Sequence, residues 1–301
     1  MENDAVDVFV CHNIGRSSRI LKIRMRCERE LRHPPIRSVR APPRNYINKV
    51  SPSPALPSCP WPPSPPSPPE GRVALWWVDL QHYPSGESEE ALLGDAERRR
   101  LEGMTNPRSR RRFLATRVAL RHLLGASLHC DPAAVTLGLS GHGKPRLEHP
   151  SPPLHFNLAH SGEIALIAIS PLGEVGVDLE LYHRRREVQR VARRFFSGEE
   201  ASVVAERGEP AFLSLWVRKE ALLKAHGRGI ALGLRRAGGL PLEEAEIRVE
   251  LEDEGKGGEW TIRELRGIPG VAIAVAHAGG RMPELALWRL SPEERSGVAH
   301  R

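Results

Sequence analysis

Ten prolines fall within the twenty residues 51–70. Proline lacks the amide proton that helices and sheets both use, and it fixes its own φ near −65°. The Ser-Pro and Pro-Pro repeats over residues 51–69 therefore exclude regular structure and predict a semi-rigid polyproline spacer. Ahead of it, residues 1–50 carry eleven Lys and Arg and only a short apolar patch from Ile20 to Met25. That is too little apolar surface to offset chain entropy, so a disordered, basic tail is expected over 1–71. Residues 1–70 hold 11 Lys+Arg against 6 Asp+Glu, a net of +5 out of the chain's +7. The basic character belongs mostly to the tail and says little about what the remainder binds. The tail reads as a solvated extension, with no nucleic acid or membrane partner implied.

Periodicity places the elements after the spacer. Val73, Leu75 and Trp77 alternate with Ala74, Trp76 and Val78, a strand over residues 72–80. Helical spacing follows over 87–101 and 112–128, then a strand at 135–139, a turn at 140–145, a strand at 154–158 and a turn at 159–162. Residues 163–170 are apolar on both faces, as a central strand is. A strand at 175–181 and a helix at 188–196 precede Ser197, which with Glu200 three residues later forms a capping box. After one more helix, strands are predicted at 247–251, 260–265, 271–277 and 285–290. Helix-and-strand content thus repeats. The expectation is an α+β fold of two similar halves, 72–171 and 172–301, related by a pseudo-twofold axis with a site between them.

Two segments carry chemistry. Val175, Val177, Leu179 and Leu181 alternate with Gly176, Asp178 and Glu180, so Asp178 and Glu180 project from one face of a half-buried strand. The helix of Phe212, Leu215, Trp216, Leu222 and Leu223 starts near Pro210 and closes at Gly227 and Gly229. On it Glu220 and Lys224 share a face. Read singly, each is an ordinary surface pattern. If that helix face meets the strand, three carboxylates and one ammonium surround a point, a donor set that suits Mg2+ and phosphate.

Most arginines between 110 and 121 read as solvated helix-face charges. Arg117 differs, because it sits amid Ala115, Val118 and Ala119; a buried arginine with no acid nearby invites an anion. His160, beside Gly162, reads as a turn residue. Cys11, Cys27, Cys59 and Cys130 show no CxxC spacing, which argues against a zinc site or a disulfide framework. No run approaches ~18 apolar residues. With no signal-peptide pattern either, a soluble, cytoplasmic protein is expected.

Together these segments resemble the Sfp-type 4'-phosphopantetheinyl transferases over residues 72–290. The similarity rests on Val175-Gly176-Val177-Asp178-Leu179-Glu180, Arg194-Phe195-Phe196-Ser197 and Trp216-Val217-Arg218-Lys219-Glu220-Ala221-Leu222-Leu223-Lys224. Gly143-Lys144-Pro145, the segment His155 to Gly162 and the arginine-rich helix 112–121 flank them. The resemblance implies transfer of phosphopantetheine from coenzyme A to a serine of an acyl or peptidyl carrier protein, releasing 3',5'-ADP. It implies that Asp178, Glu180 and Glu220 hold Mg2+ (or Mn2+), that Glu220 also serves as base, and that Lys224 neutralises a pyrophosphate oxygen. Arg117, Lys144 and His160 would contact the coenzyme.

Where the family commonly has serine before the His160 position this chain has Ala159, so one hydroxyl contact to the coenzyme is expected to be absent. A metal-dependent nuclease is the runner-up reading, but that class usually places a lysine where Tyr182 stands. A non-catalytic coenzyme A or carrier-binding relative would be expected to lack one of Asp178, Glu180, Glu220 or Lys224. The enzyme is expected to be a monomer, meeting an acidic carrier through Arg184, Arg185, Arg186, Arg190, Arg193 and Arg194.

Overall fold

The computed structural model describes residues 71–150, 154–182, 187–229, 233–235, 237, 240–251 and 257–290, with the backbone of three short strands nearer the N-terminus. Those strands are β1 (Phe9–Ile14), β2 (Ser17–Lys22) and β3 (Ser58–Cys59). β1 and β2 pair as an antiparallel hairpin where composition predicted no element. The rest of the tail lies outside the described residues.

From there the chain forms β4 (Arg72–Asp79), α1 (Glu87–Glu90), α2 (Asp95–Glu102), α3 (Pro107–Ser127), β5 (Thr136–Leu139), β6 (Pro145–His149), β7 (His155–Ser161), β8 (Ile164–Ser170) and β9 (Val175–Leu181). Then come α4 (Val188–Phe195), α5 (Gly198–Arg207), α6 (Glu209–His226), β10 (Glu246–Leu251), β11 (Gly258–Glu264), β12 (Val271–Ala278) and β13 (Glu284–Leu290).

Two boundaries depart from periodicity. The helix expected over 87–101 is two, because Gly94 caps α2 and its amide donates to Glu97 Oε2 at 3.1 Å. α3 starts five residues early, where Asn106 Oδ1 accepts from Ser109 N at 3.0 Å and Pro107 fills the first turn.

The fold is mixed α+β. One sheet runs β3-β13-β4-β8-β7 and the other β10-β11-β12-β9, with β5-β6 as a separate hairpin. β13 comes from the far end of the chain and pairs in parallel with β4, so the first sheet draws on both ends. Alternation decides the layers. Ala74, Trp76, Val78, Ala165 and Ile167 face α3. Val73, Leu75, Trp77, Leu166 and Ala168 meet Val175, Val177, Leu179, Ile273 and Val275 of the second sheet. That sheet's far face, with Ala272, Ala274, Ala276 and Ile262, packs on α6. The result is helix, sheet, sheet, helix.

β7 and β9 are the edges that meet at the seam. There Asn157 Oδ1 accepts from Val177 N at 3.0 Å and Ser161 Oγ from Leu181 N at 3.3 Å. Side chains of one sheet thus satisfy edge amides of the other. Among the described residues no helix is long and apolar enough to cross a membrane.

Candidate active site

The site begins with how closely α6 lies on β9. A Cβ built on Gly176 would stand 2.1 Å from Ala221 O and 2.3 Å from Ala225 N, so only glycine admits the helix here. The neighbouring strand adds little bulk, since Ala276, Ala274 and Ala272 pair with Gly176, Asp178 and Glu180. With α6 seated this low, the strand's polar face meets the helix face on which spacing had put Glu220 and Lys224, the condition that the sequence left open.

Lys224 Nζ donates to Asp178 Oδ1 at 2.6 Å. Asp178 and Glu220 are 6 % and 4 % exposed, and among the described residues Asp178 Oδ2 and Glu220 Oε1 have no hydrogen-bond partner. Burial, then the Asp178 charge, pushes the Glu220 carboxyl up to about 7. Burial likewise raises Asp178 to about 6, against the pull of Lys224. Burial opposes the ammonium, yet Asp178 and Glu220 hold Lys224 above its ordinary value.

Glu180, partly buried, accepts from Ser161 Oγ at 2.9 Å. Among the described residues no three His, Cys, Asp or Glu groups are drawn into a ready cluster. The donor set nevertheless fits a hard cation: it is all oxygen, and two of its buried oxygens lack partners.

Ser161 was missed by sequence reasoning. Ala159, His160 and Ser161 lie in β7 rather than in a turn, and the reversal falls at Gly162 (φ 60). Strand alternation then buries Ser161 beside Glu180 and exposes His160. His160 keeps an exposed surface while its ring is desolvated, and that desolvation, then the charges of Lys224, Arg112 and Arg117, holds it below its usual pKa.

The arginines of α3 are less solvated than expected. Arg108, Arg111 and Arg112 converge on Glu163 at 2.6, 2.6 and 2.9 Å, and Arg110 pairs with Glu90 at 2.7 Å. Arg117 is buried as predicted, but an acid is nearby: Glu97 Oε1 lies 3.7 Å from its Nε. Arg121 takes the other Glu97 oxygen at 2.7 Å. The premise that Arg117 has no acid neighbour is thereby corrected. α2, folding back on α3, supplies one.

Lys144 sits away from the His160 cluster in its bonding. Its Nζ donates to Glu174 Oε2, Val175 O and Ala225 O at 2.5, 3.1 and 2.9 Å. Glu200 is structural as the capping box implied: Oε2 accepts from Ser197 N at 2.9 Å, and Oε1 pairs with buried Lys219 at 2.9 Å.

A cavity of about 620 Å³ opens beside the end of β9, lined by Tyr182, Ser214, Glu264, Arg266 and Ala272 among others. Ala272 is the register partner of Glu180, while Asp178, Glu180 and Glu220 themselves are not among the lining residues. Of the arginines expected to meet a partner, Arg190 and Arg193 are exposed on α4 and Arg194 is half-buried, while Arg184, Arg185 and Arg186 lie outside the described residues.

Residues 174–276, which contain β9, α6 and most of β12, match the model of the 4'-phosphopantetheinyl transferase superfamily. The chain is 38% identical over 193 residues to a putative 4'-phosphopantetheinyl transferase of Synechocystis sp., covering 62% of this chain and 77% of that protein. It is 34% identical over 218 residues to the 4'-phosphopantetheinyl transferase HetI of Nostoc sp., covering 69% and 88%. A phosphopantetheinyl transferase of Thraustochytrium sp. is 31% identical over 241 residues, covering 73% and 83%.

Proposed function

The chain belongs to the 4'-phosphopantetheinyl transferase superfamily, and from that membership we infer that it moves phosphopantetheine from coenzyme A to a serine of an acyl or peptidyl carrier protein. The observation that carries the assignment onto residues is the buried pair Asp178 and Glu220, each with an unpartnered oxygen, around Lys224.

In this reading the carrier serine attacks the phosphorus that bears the pantetheine arm. A serine O–P bond forms, the P–O bond to the nucleotide breaks, and 3',5'-ADP leaves with the electron pair. Glu220 takes the hydroxyl proton, as a carboxylate placed beside the reacting oxygen can. Lys224 lies against the pyrophosphate and offsets its charge, a larger effect in a buried site than in water. Asp178, Glu180 and Glu220 are the residues that would hold Mg2+ or Mn2+, which when bound supplies charge neutralisation of the pyrophosphate oxygens.

His160, which feels the charges of Lys224, Arg112 and Arg117, is the group best placed to meet the coenzyme's phosphates. Arg117, short of full neutralisation because Glu97 serves two guanidiniums, adds positive charge from behind it. The resemblance also gives Lys144 a coenzyme contact, which would require it to release one of its three acceptors. The cavity lined by Tyr182, Ser214, Arg266 and Ala272 leaves room for the acceptor, and exposed Arg190 and Arg193 of α4 offer positive charge to an acidic carrier. The two halves then act as one pseudo-twofold pair with the reaction at the seam of β7 and β9. On the same reading the enzyme is a monomer acting in the cytoplasm.

The test is mass spectrometry of apo carrier proteins of the fatty-acid, polyketide and peptide-synthetase types, incubated with the full chain, coenzyme A and Mg2+, with an EDTA control. One phosphopantetheine gained per carrier, abolished by EDTA, is expected. No gain on any of the three would overturn the assignment.

A further inference from the structure

Lys144 stands on the β5-β6 hairpin, at the end of a turn that is closed from within. Ser140 N donates to Lys144 O at 2.8 Å, Gly143 N to Ser140 O at 2.8 Å, and Lys144 N to Ser140 Oγ at 3.0 Å, with Gly143 at φ 84. So fixed, the side chain reaches out of the N-terminal half and is only 10 % exposed. An ammonium has three protons, and here three acceptors meet them: Glu174 Oε2, Val175 O and Ala225 O.

These acceptors have a common location. Val175 immediately precedes Gly176, the residue whose missing Cβ lets α6 rest on β9, and Ala225 is one of the two helix residues it touches. Ala225 O also belongs to the last turn of α6, whose carbonyls lack partners within the helix and favour a cation. Glu174 fixes the ammonium from the third side. Burial alone would raise its pKa, but His155, 3.8 Å away, and Lys144 hold it at about 2.

We propose that Lys144 is a positioning residue: it pins the end of α6 to the start of β9 and thereby sets where Lys224 and Glu220 stand relative to Asp178. This deepens the transferase reading and rests on it for its kinetic part. The clamp lies one residue from Lys224 on the helix and three from Asp178 on the strand. A loosened crossing therefore misplaces the reacting groups directly, and misplacement by about 1 Å can cost on the order of 100-fold in rate. A clamp and a coenzyme contact make opposite kinetic demands. A residue that binds coenzyme A alone changes its KM; a residue that aligns catalytic groups changes kcat.

The experiment uses the full chain, its Lys144→Met, Lys144→Arg and Glu174→Gln variants, coenzyme A, Mg2+ and an apo carrier protein. For Lys144→Met, kcat is expected to fall about 10- to 100-fold while the coenzyme A KM stays within about twofold. Lys144→Arg is expected not to rescue it, because a planar guanidinium cannot direct donors to these three acceptors, whereas a simple phosphate contact tolerates the swap. Glu174→Gln, which keeps the lysine and should fold even where Lys144→Met does not, is expected to show a weaker form of the same kcat loss.

Hydrogen exchange without substrates provides the independent reading. The amides of residues 223–227 are expected to exchange faster in Lys144→Met and Glu174→Gln. If the unsubstituted chain transfers nothing, the transferase reading fails while exchange still decides the clamp. Unchanged exchange in both variants, or a coenzyme A KM raised tenfold at constant kcat, would overturn it.

Discussion

Lys224 Nζ lies 2.6 Å from Asp178 Oδ1 and joins the last turn of α6 to the middle of β9. The contact occupies one oxygen and leaves Asp178 Oδ2 without a partner, so a cation on the free oxygen need not expel the lysine. Asp178 would then serve the lysine through one oxygen and a metal through the other. Replacing Lys224 with Met removes the charge that faces the pyrophosphate but also the charge that repels a cation. The expected outcome is kcat/KM for coenzyme A lower by about 100-fold, with Mg2+ binding in the absence of coenzyme no weaker. Steady-state kinetics and calorimetric Mg2+ titration check the two halves. Unchanged kinetics would reduce Lys224 to a helix ion pair.

Glu220 gives a prediction with opposite signs for activity and stability. Its carboxyl titrates at about 7 in the folded metal-free protein against an ordinary 4.5, so the folded state holds that proton more tightly than the unfolded chain. As pH rises from about 4.5 through about 7, the folded state must give it up inside a buried, like-charged site, and stability falls. Glu220→Gln removes that penalty. Without metal its Tm is expected to exceed that of the unsubstituted protein at pH 8 and to match it by pH 5, while transfer drops at least about 100-fold. Thermal melts at both pH values in EDTA decide it, and equal Tm at pH 8 would mean that Glu220 is not held under strain.

The Gly176 contact predicts a loss that composition would not suggest. In Gly176→Ala the new methyl meets backbone atoms at 2.1 and 2.3 Å, and neither a carbonyl nor an amide of α6 can rotate away. Destabilisation is expected at or above the top of the roughly 1–3 kcal/mol range of overpacked cores. Gly198→Ala is the control. It sits at the first position of α5 with no atom within 4 Å of the added Cβ, and should gain about 0.5 kcal/mol. Urea unfolding of the two variants checks both signs.

What was legible in the sequence follows the reach of each signal. The alternation at Val175–Leu181 and the i, i+4 spacing of Glu220 and Lys224 are local, and both elements form where predicted. Pro210 falls in the first turn of α6, and Gly227 ends it at φ 91. Contacts made by distant segments were not legible. Lys144 finds its acceptors 30, 31 and 81 residues away, and no periodicity encodes that. Ser161 was hidden because the glycine two positions after His160 suggested a turn that begins three residues too soon. The Glu163 cluster was hidden because a run of arginines on a helix looks the same whether it faces water or a carboxylate from the next hairpin.

Glu97 sharpens the last of these cases. It lies 20 residues before Arg117, on a different helix, and serves both Arg117 and Arg121, which are 7 % and 2 % exposed. Its Oε2 also accepts from Gly94 N, so one carboxylate caps α2 and neutralises the inner side of α3. Glu97→Gln keeps the shape but removes the charge, leaving two buried guanidiniums facing an amide. Breaking such a buried pair costs about 3–5 kcal/mol, and the amide's remaining acceptor oxygen places the expected loss near 3 kcal/mol. The substitution also lifts the restraint on Arg117. If Arg117 lends positive charge to the coenzyme's phosphates, Glu97→Gln should lower the coenzyme A KM at low ionic strength even as the protein becomes less stable, and added salt should erase the difference. A less stable variant with an unchanged KM at all salt concentrations would confine Arg117 to holding α3 on α2.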